Sequence, residues 1–351
     1  MILQKINKGL LRYDTVKAPK IERGKSCMKK IFDKTIIHII PVDNGYYVVT
    51  LGEDSKVYFV SDDYKISLIE SCSKPSYVYP FDKGNVFIPS LYYRACRHSE
   101  SEIKKYKTKA DIIEGIKNAI CYENAAYYYT GPSNADAKVW KLDFDTGVNE
   151  EIQLGIPKRR ARQLRYAYIG FFEGKLCVMY YYFGPRDICF DDMYIRMYKK
   201  MEDEFVLISE NLIERDVREI DCKYSEERQK HTFIFRKMVW EENWIRVKGE
   251  YLATLESGMK VKKIFDIREH IDNGVVSFAI SYKDRFVVIL WRNKLCVYDM
   301  DTGEVICDLT DKFYGDNEMG RFFDVYLRGN KLLVAGEIGM WELEREEYIK
   351  R

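Results

Sequence analysis

Two Asp-x-Asp-Thr-Gly segments, at 143–147 and 299–303, set paired carboxylates beside a glycine. Carboxylates at this spacing can ligate a divalent cation, and a glycine lets backbone N–H groups approach a phosphate. A calcium loop of the EF-hand kind needs further oxygen ligands and a Glu at its twelfth position, between helices. Here each segment lies between short apolar-alternating stretches instead: KVWKLD and EEIQL around the first, KLCVYD and EVICDL around the second. Local backbone bonding explains them better. Asp143 or Asp299 accepts from N–H groups two residues on, an Asx-turn, and Gly147 or Gly303 takes the left-handed conformation that returns the chain as a hairpin.

Other candidate chemistry is sparse. His38, His98, His231 and His270 are widely separated and lack the spacing of a zinc site, so no metal is expected. His38 lies inside IIHII, where a hydrogen-bonded strand residue is the simpler assignment. GDNEMGRF at 315–322 has the two-glycine spacing of a phosphate loop, but Arg321 and Phe322 replace its Lys and Ser/Thr. No Gly-x-Ser-x-Gly elbow occurs, and the sequence implies no cofactor.

The strongest charge feature is PKRRARQLRY at 157–166, with Lys158, Arg159, Arg160, Arg162 and Arg165. Such a cluster can bind phosphates, RNA or an acidic partner, with Tyr166 and Tyr168 placed to stack. The alternative is a solvated loop whose arginines pair with nearby carboxylates such as Glu150 and Glu151. An acidic tip at 184–194 carries Asp187, Asp191 and Asp192 around Ile188 and Phe190. The stretch 214–230 alternates Arg with Glu and Asp densely enough for i,i+4 pairs on a short surface helix.

These residues must be positioned by strands. The 351-residue chain is 46% hydrophobic and 15% aromatic, with 28 Tyr, a composition that favours strands and a sizeable core. A net charge of +2 excludes a global electrostatic footprint for nucleic acid or an anionic membrane. Nine Cys, none in Cys-x-x-Cys spacing, read as reduced thiols, and Cys177 and Cys296 each sit in a Lys-Leu-Cys-Val strand as small apolar residues. The first residues have Lys and Asn too early for a secretory signal, and no apolar run approaches a membrane span. A cytoplasmic protein is expected.

Aligned on the two clear hairpins, weaker copies emerge at 56–71, 193–209, 245–265 and 339–350, with a truncated one at 9–22. A second strand pair precedes most of them, signalled by a Gly, Asn or Asp turn and an apolar run, as in DNGYYVVTL, EGKLCVMYYY, KDRFVVILW and RGNKLLVAG. The unit is four strands, and its period is that of propeller blades. The chain is therefore expected to be all-β, a single β-propeller of seven four-stranded blades, with six or eight as alternatives. The blades fall near 34–71, 74–110, 116–155, 164–210, 220–266, 274–310 and 320–351, and residues 1–33 are expected to add a strand to the last blade that closes the ring. Two places fit less well: 99–109 reads as a polar loop or short helix, and 221–230 as a charged insertion.

The Asp-x-Asp-Thr-Gly turns and the strands around them resemble β-propeller repeats of the WD40 and quinoprotein-like kind, in which a strand ending in an aromatic-x-Asp-x-x-Thr-Gly turn leads to the outer strand. The Gly-His and Trp-Asp dipeptides of WD40 repeats and the paired glycines of kelch repeats are missing, and Leu154 or Leu309 stands where the quinoprotein pattern has Trp. The resemblance implies an interaction platform for another protein, and the charge run supplies Lys158, Arg159, Arg160, Arg162, Arg165 and Tyr166 as the candidate binding residues. The alternatives are a propeller enzyme or a sugar- or peptide-binding protein with its site at the channel mouth, and, less favoured, an RNA-binding propeller.

Overall fold

The computed structural model describes residues 29–51, 55–69, 78–81, 85–90, 94–98, 103–108, 118–130, 135–160, 162–183, 192–215, 217–225, 230–241, 244–256, 260–267, 275–291, 293–314 and 321–349. Its strands form seven four-stranded antiparallel sheets. Strand β1 (Lys29–Phe32) stands apart in sequence from the sheet it joins. The first blade is β2 (Ile36–Val42), β3 (Gly45–Thr50), β4 (Val57–Ser61) and β5 (Ile66–Ile69). The second is β6 (Tyr79–Phe81), β7 (Asn85–Ser90), β8 (Arg94–His98) and β9 (Ile103–Lys107). The third is β10 (Asn118–Tyr122), β11 (Ala125–Thr130), β12 (Lys138–Asp143) and β13 (Asn149–Ile152). Longer strands make the fourth, β14 (Gln163–Phe172), β15 (Lys175–Phe183), β16 (Met193–Met201) and β17 (Glu204–Glu214). The fifth is β18 (Val217–Ser225), β19 (Lys230–Glu241), β20 (Trp244–Glu256) and β21 (Lys260–Ile267). The sixth is β22 (Ser277–Ser281), β23 (Phe286–Leu290), β24 (Leu295–Asp299) and β25 (Val305–Asp308), followed by helix α1 (Thr310–Tyr314). Finally β26 (Phe322–Arg328), β27 (Lys331–Gly336) and β28 (Gly339–Glu344) lead into helix α2 (Arg345–Tyr348).

The first strand of each blade touches the first strand of the next, from β2 through β6, β10, β14, β18, β22 and β26 back to β2. That closed circuit makes the arrangement a β-propeller with these strands innermost. Its core is divided into apolar clusters between neighbouring blades. Strand β11 shows why Ala-Ala-Tyr-Tyr-Tyr-Thr is needed: all six residues are buried, Tyr127 and Tyr129 against the fourth blade and Ala126 and Tyr128 against the second. With both faces covered, such a strand carries a continuous apolar run in place of alternation.

Both Asp-x-Asp-Thr-Gly segments are hairpin turns of one design. Asp143 Oδ1 accepts from the N–H groups of Asp145 (3.1 Å) and Thr146 (2.9 Å), and Asp299 Oδ1 from those of Asp301 (2.8 Å) and Thr302 (2.9 Å). Gly147 and Gly303 have φ of +72° and +70°, the left-handed region that glycine enters without a Cβ penalty. The Thr146 hydrogen bonds hold the Asp143 carboxyl below the usual carboxylate range. The first carboxylate of each pair is thus committed to its own backbone, and Asp301 pairs with Arg285.

Three expectations are corrected. The polar stretch at 99–109 contains strand β9, and the region read as a charged insertion and surface helix contains strand β18, with 226–229 outside the described residues. The copy at 339–350 keeps one strand only. Its second half is α2, and the vacant outer position of the last sheet is taken by β1, which pairs antiparallel with β28. The truncated copy at 9–22 lies outside the described residues. Among the described residues no helix is long and apolar enough to cross a membrane.

Candidate functional site

The basic cluster lies on the connection that leaves β13 at the rim of the third blade and enters β14 at the centre of the fourth. On this side of the ring also lie the ends of β15 and β16 that flank 184–192. Residues 153–159 have no regular structure, so their carbonyls need partners from elsewhere. Blade four supplies them. Tyr198 donates its O–H to Leu154 O (2.8 Å), Arg196 donates from Nη1 to Gly155 O (3.1 Å), and Tyr182 donates to Pro157 O (2.5 Å). Gly155, at φ +59°, makes the turn between the first two anchors. Leu154 is buried, so the connection is fixed by both apolar and polar contacts.

Arg196 is itself buried and ion-paired with Glu210, which also accepts from Tyr180 O–H at 2.8 Å. Burial pushes the Glu210 carboxyl up, but the hydrogen bonds from Arg196 and Tyr180 outweigh it and leave it below the ordinary carboxylate range. The Arg159 guanidinium rests 4.2 Å from the ring centroid of Tyr182 and 5.8 Å from that of Tyr194, within cation–π range of both. Phe183, the next residue after Tyr182 along β15, is exposed.

The sequence-selected residues separate into three groups. Lys158, Arg159 and Arg160 are exposed together. Arg162 and Arg165 are half-buried; Arg165 donates to Ala135 O (2.6 Å) and Gln163 Oε1 (2.6 Å), fastening β14 to the third blade. Tyr166 corrects the expectation of a stacking platform. It is a core residue, 5.8 Å from the Tyr129 ring, and burial pushes its hydroxyl pKa up. Tyr168 is buried too, 2.7 Å from His231 Nδ1. Sequence reasoning missed Tyr182, Arg196, Tyr198 and Glu210, whose only signal was a tyrosine-rich strand end. Of the acidic tip, 184–191 lies outside the described residues.

The carboxylates expected to neutralise the cluster are engaged elsewhere. Glu150 pairs with Lys141 (3.1 Å) and Glu151 with Lys138 (2.7 Å). Lys158 and Arg160 make no ion pair among the described residues.

A second polar cluster joins the innermost strands. Asp324 on β26, almost fully buried, accepts at Oδ1 from Ser277 Oγ (2.6 Å) and Val325 N (2.9 Å), and at Oδ2 from Ile39 N (2.9 Å), with His38 Nδ1 also at 2.9 Å. Ser, Asp and His therefore meet, but the serine hydroxyl donates to the carboxylate. An activated nucleophile would donate to the imidazole. The arrangement is a clamp across three blades.

No family model matches the chain, and no curated protein matches it. Among solved structures 744 chains match, a fold too widely shared to specify an activity. One is the crystal structure of the computationally designed Ika8 protein, similar over 88% of this chain and 83% of that one, with 11% identity and a TM-score of 0.50. At that identity the likeness concerns the fold alone.

Proposed function

We propose that this β-propeller is a non-catalytic cytoplasmic platform that docks an acidic segment of another protein on the connection between its third and fourth blades. The observation that carries this is Lys158 and Arg160, exposed and without an ion pair among the described residues, on a connection held by three hydrogen-bonded carbonyls, while Glu150 and Glu151 are neutralised by lysines. A rigid mount lowers the ordering cost of binding, and exposed Phe183 at the end of β15, on the same side of the ring, offers an aromatic contact of the kind interfaces favour. Buried free Cys177 and Cys296 agree with a reducing compartment, and burial pushes the Cys177 thiol up to about 12, making it inert.

The test uses a synthetic polyglutamate peptide and a single-stranded oligouridylate as probes, titrated against the full chain and against Lys158→Glu/Arg160→Glu. The peptide should bind with salt-dependent affinity, and the double reversal should weaken it by about tenfold or more without changing the fold. Peptide binding that is absent, or equal in the variant, overturns the proposal. Preferential binding of the oligonucleotide overturns it in favour of nucleic acid.

A further inference from the structure

The outer edges of the blades differ in how they are protected. Outermost strands expose unpaired N–H and C=O groups, and proteins blunt them by shortness, lysine or charge. Here β5, β13 and β25 have four residues each, and β13 carries Glu150 and Glu151. Strand β9 carries Lys104, Lys105 and Lys107, β21 carries Lys260, Lys262 and Lys263, and β1 carries Lys29 and Lys30. Strand β17 is neither short nor lysine-bearing, and of its three glutamates Glu210 pairs with Arg196 and Glu214 with Lys237, which leaves Glu204 at its first residue. It runs for 11 residues without a lysine, and Val206, Leu207, Ile208 and Leu212 are all exposed, as is Met201 before the turn. Ile208 is the extra residue of a bulge, since Leu207 faces Tyr198 and Ser209 faces Met197.

Charge is distributed unequally along this edge. Its first end is the turn Glu202, Asp203 and Glu204, all exposed and without an ion pair among the described residues. Of the two lysines that precede this turn, Lys200 lies 3.7 Å from Glu123. Its last end has Glu214, paired with Lys237 at 3.1 Å, then exposed Arg215 and, reached through Tyr194 opposite Leu212, the basic connection with Arg159 over Tyr194. An antiparallel partner that is a copy of the same edge would bring each acidic turn to the other's basic end, twice in one interface.

We propose that β17 is an isologous interface, pairing antiparallel with β17 of a second copy of this chain. The aliphatic side chains then cover one another, each edge supplies the other's missing backbone partners, and the acidic turn 202–204 lies against Lys158, Arg160 and Arg215. A two-fold pairing of this kind is closed, so it yields a dimer and no fibre. It rests on the docking proposal above only in using the basic connection as a protein-binding surface.

Sedimentation of the full chain across the micromolar range tests it. The expected mass is twice 41.6 kDa at the upper end. Ile208→Lys should give a monomer, its fold checked by circular dichroism. Glu202→Lys/Asp203→Lys should weaken the dimer by about tenfold or more, and adding Lys158→Glu/Arg160→Glu should restore much of the loss. A chain monomeric throughout, or a dimer indifferent to Ile208→Lys and to the charge swap, overturns the pairing. A monomer that still binds polyglutamate overturns the pairing alone; a monomer that ignores polyglutamate overturns both proposals.

Discussion

The seam that closes the ring and the seam between the fourth and fifth blades are fastened by different chemistry. At closure, Asp324 bridges β26 to β2 and, on the other side, to β22. Nearby Glu342 on β28 accepts from Tyr64 O–H (2.7 Å) and pairs with Lys331 (2.7 Å), while Arg328 pairs with Asp62 and donates to Asp43 O (2.8 Å). Between the fourth and fifth blades the contacts are aromatic and sulfur-rich: Tyr168, Phe172, Met179 and Met197 against Phe233, Phe235 and Tyr251. Polar contacts cross it too: His231 donates from Nε2 to Phe171 O (2.9 Å) and so accepts Tyr168 O–H at Nδ1 (2.7 Å), and Glu214 pairs with Lys237 (3.1 Å). Consecutive blades are held in register by a short covalent connection, so non-directional packing can carry most of the seam. The last and first blades lack that restraint, and charged hydrogen bonds with fixed geometry replace it.

The largest effect should come from the closure clamp. Asp324→Ala leaves two backbone N–H groups, a hydroxyl and an imidazole beside a vacated buried site, and is expected to cost about 3–5 kcal/mol in urea unfolding. Tyr168→Phe, which removes one neutral bond from the apolar seam, should cost about 1 kcal/mol. Equal costs for the two would erase the distinction between the seams.

Acid should weaken the apolar seam. Burial lowers the His231 pKa below its ordinary 6.5, against a smaller opposing push from the Phe171 carbonyl. The unfolded chain therefore binds the proton first. His231 contributes stability that is complete above the unfolded value and is lost as pH falls below it, with a slope of at most about 1.4 kcal/mol per pH unit for one proton. Unfolding measured between neutral pH and pH near 5 should show this slope, and His231→Gln should flatten it. An unchanged slope in the variant would place the acid sensitivity elsewhere.

What could be read in advance follows from the range of each interaction. The Asp-x-Asp-Thr-Gly turns were legible because Asp143, Thr146 and Gly147 complete their bonds within five residues. Strand β18 was not. Ile220, Cys222 and Tyr224 do alternate with charged residues, but the register shift between Val217 and Glu219 breaks the phase, and dense charge imitates helical pairing. Strand β9 was obscured by the lysines that protect its edge. Lys158, Arg159 and Arg160 announced themselves as a charge run, whereas their mount did not: Tyr182, Arg196 and Tyr198 belong to strands whose sequence says nothing of a neighbouring blade's carbonyls. The Asp324 clamp joins residues 286 positions apart, which only ring closure brings together.

The smallest expected effect identifies what makes the closure seam different. Tyr64→Phe removes a hydroxyl that donates to Glu342 and lies 3.1 Å from Lys331 Nζ, yet leaves the Lys331–Glu342 pair intact. A single hydroxyl should then be worth about 0.5–1.5 kcal/mol, the same range as Tyr168→Phe in the apolar seam. The hydroxyls are equivalent across the two seams, and the excess at closure resides in the carboxylates. A cost for Tyr64→Phe approaching that of Asp324→Ala in the same urea series would mean that the tyrosine bonds, more than the buried charge, fix the last blade to the first.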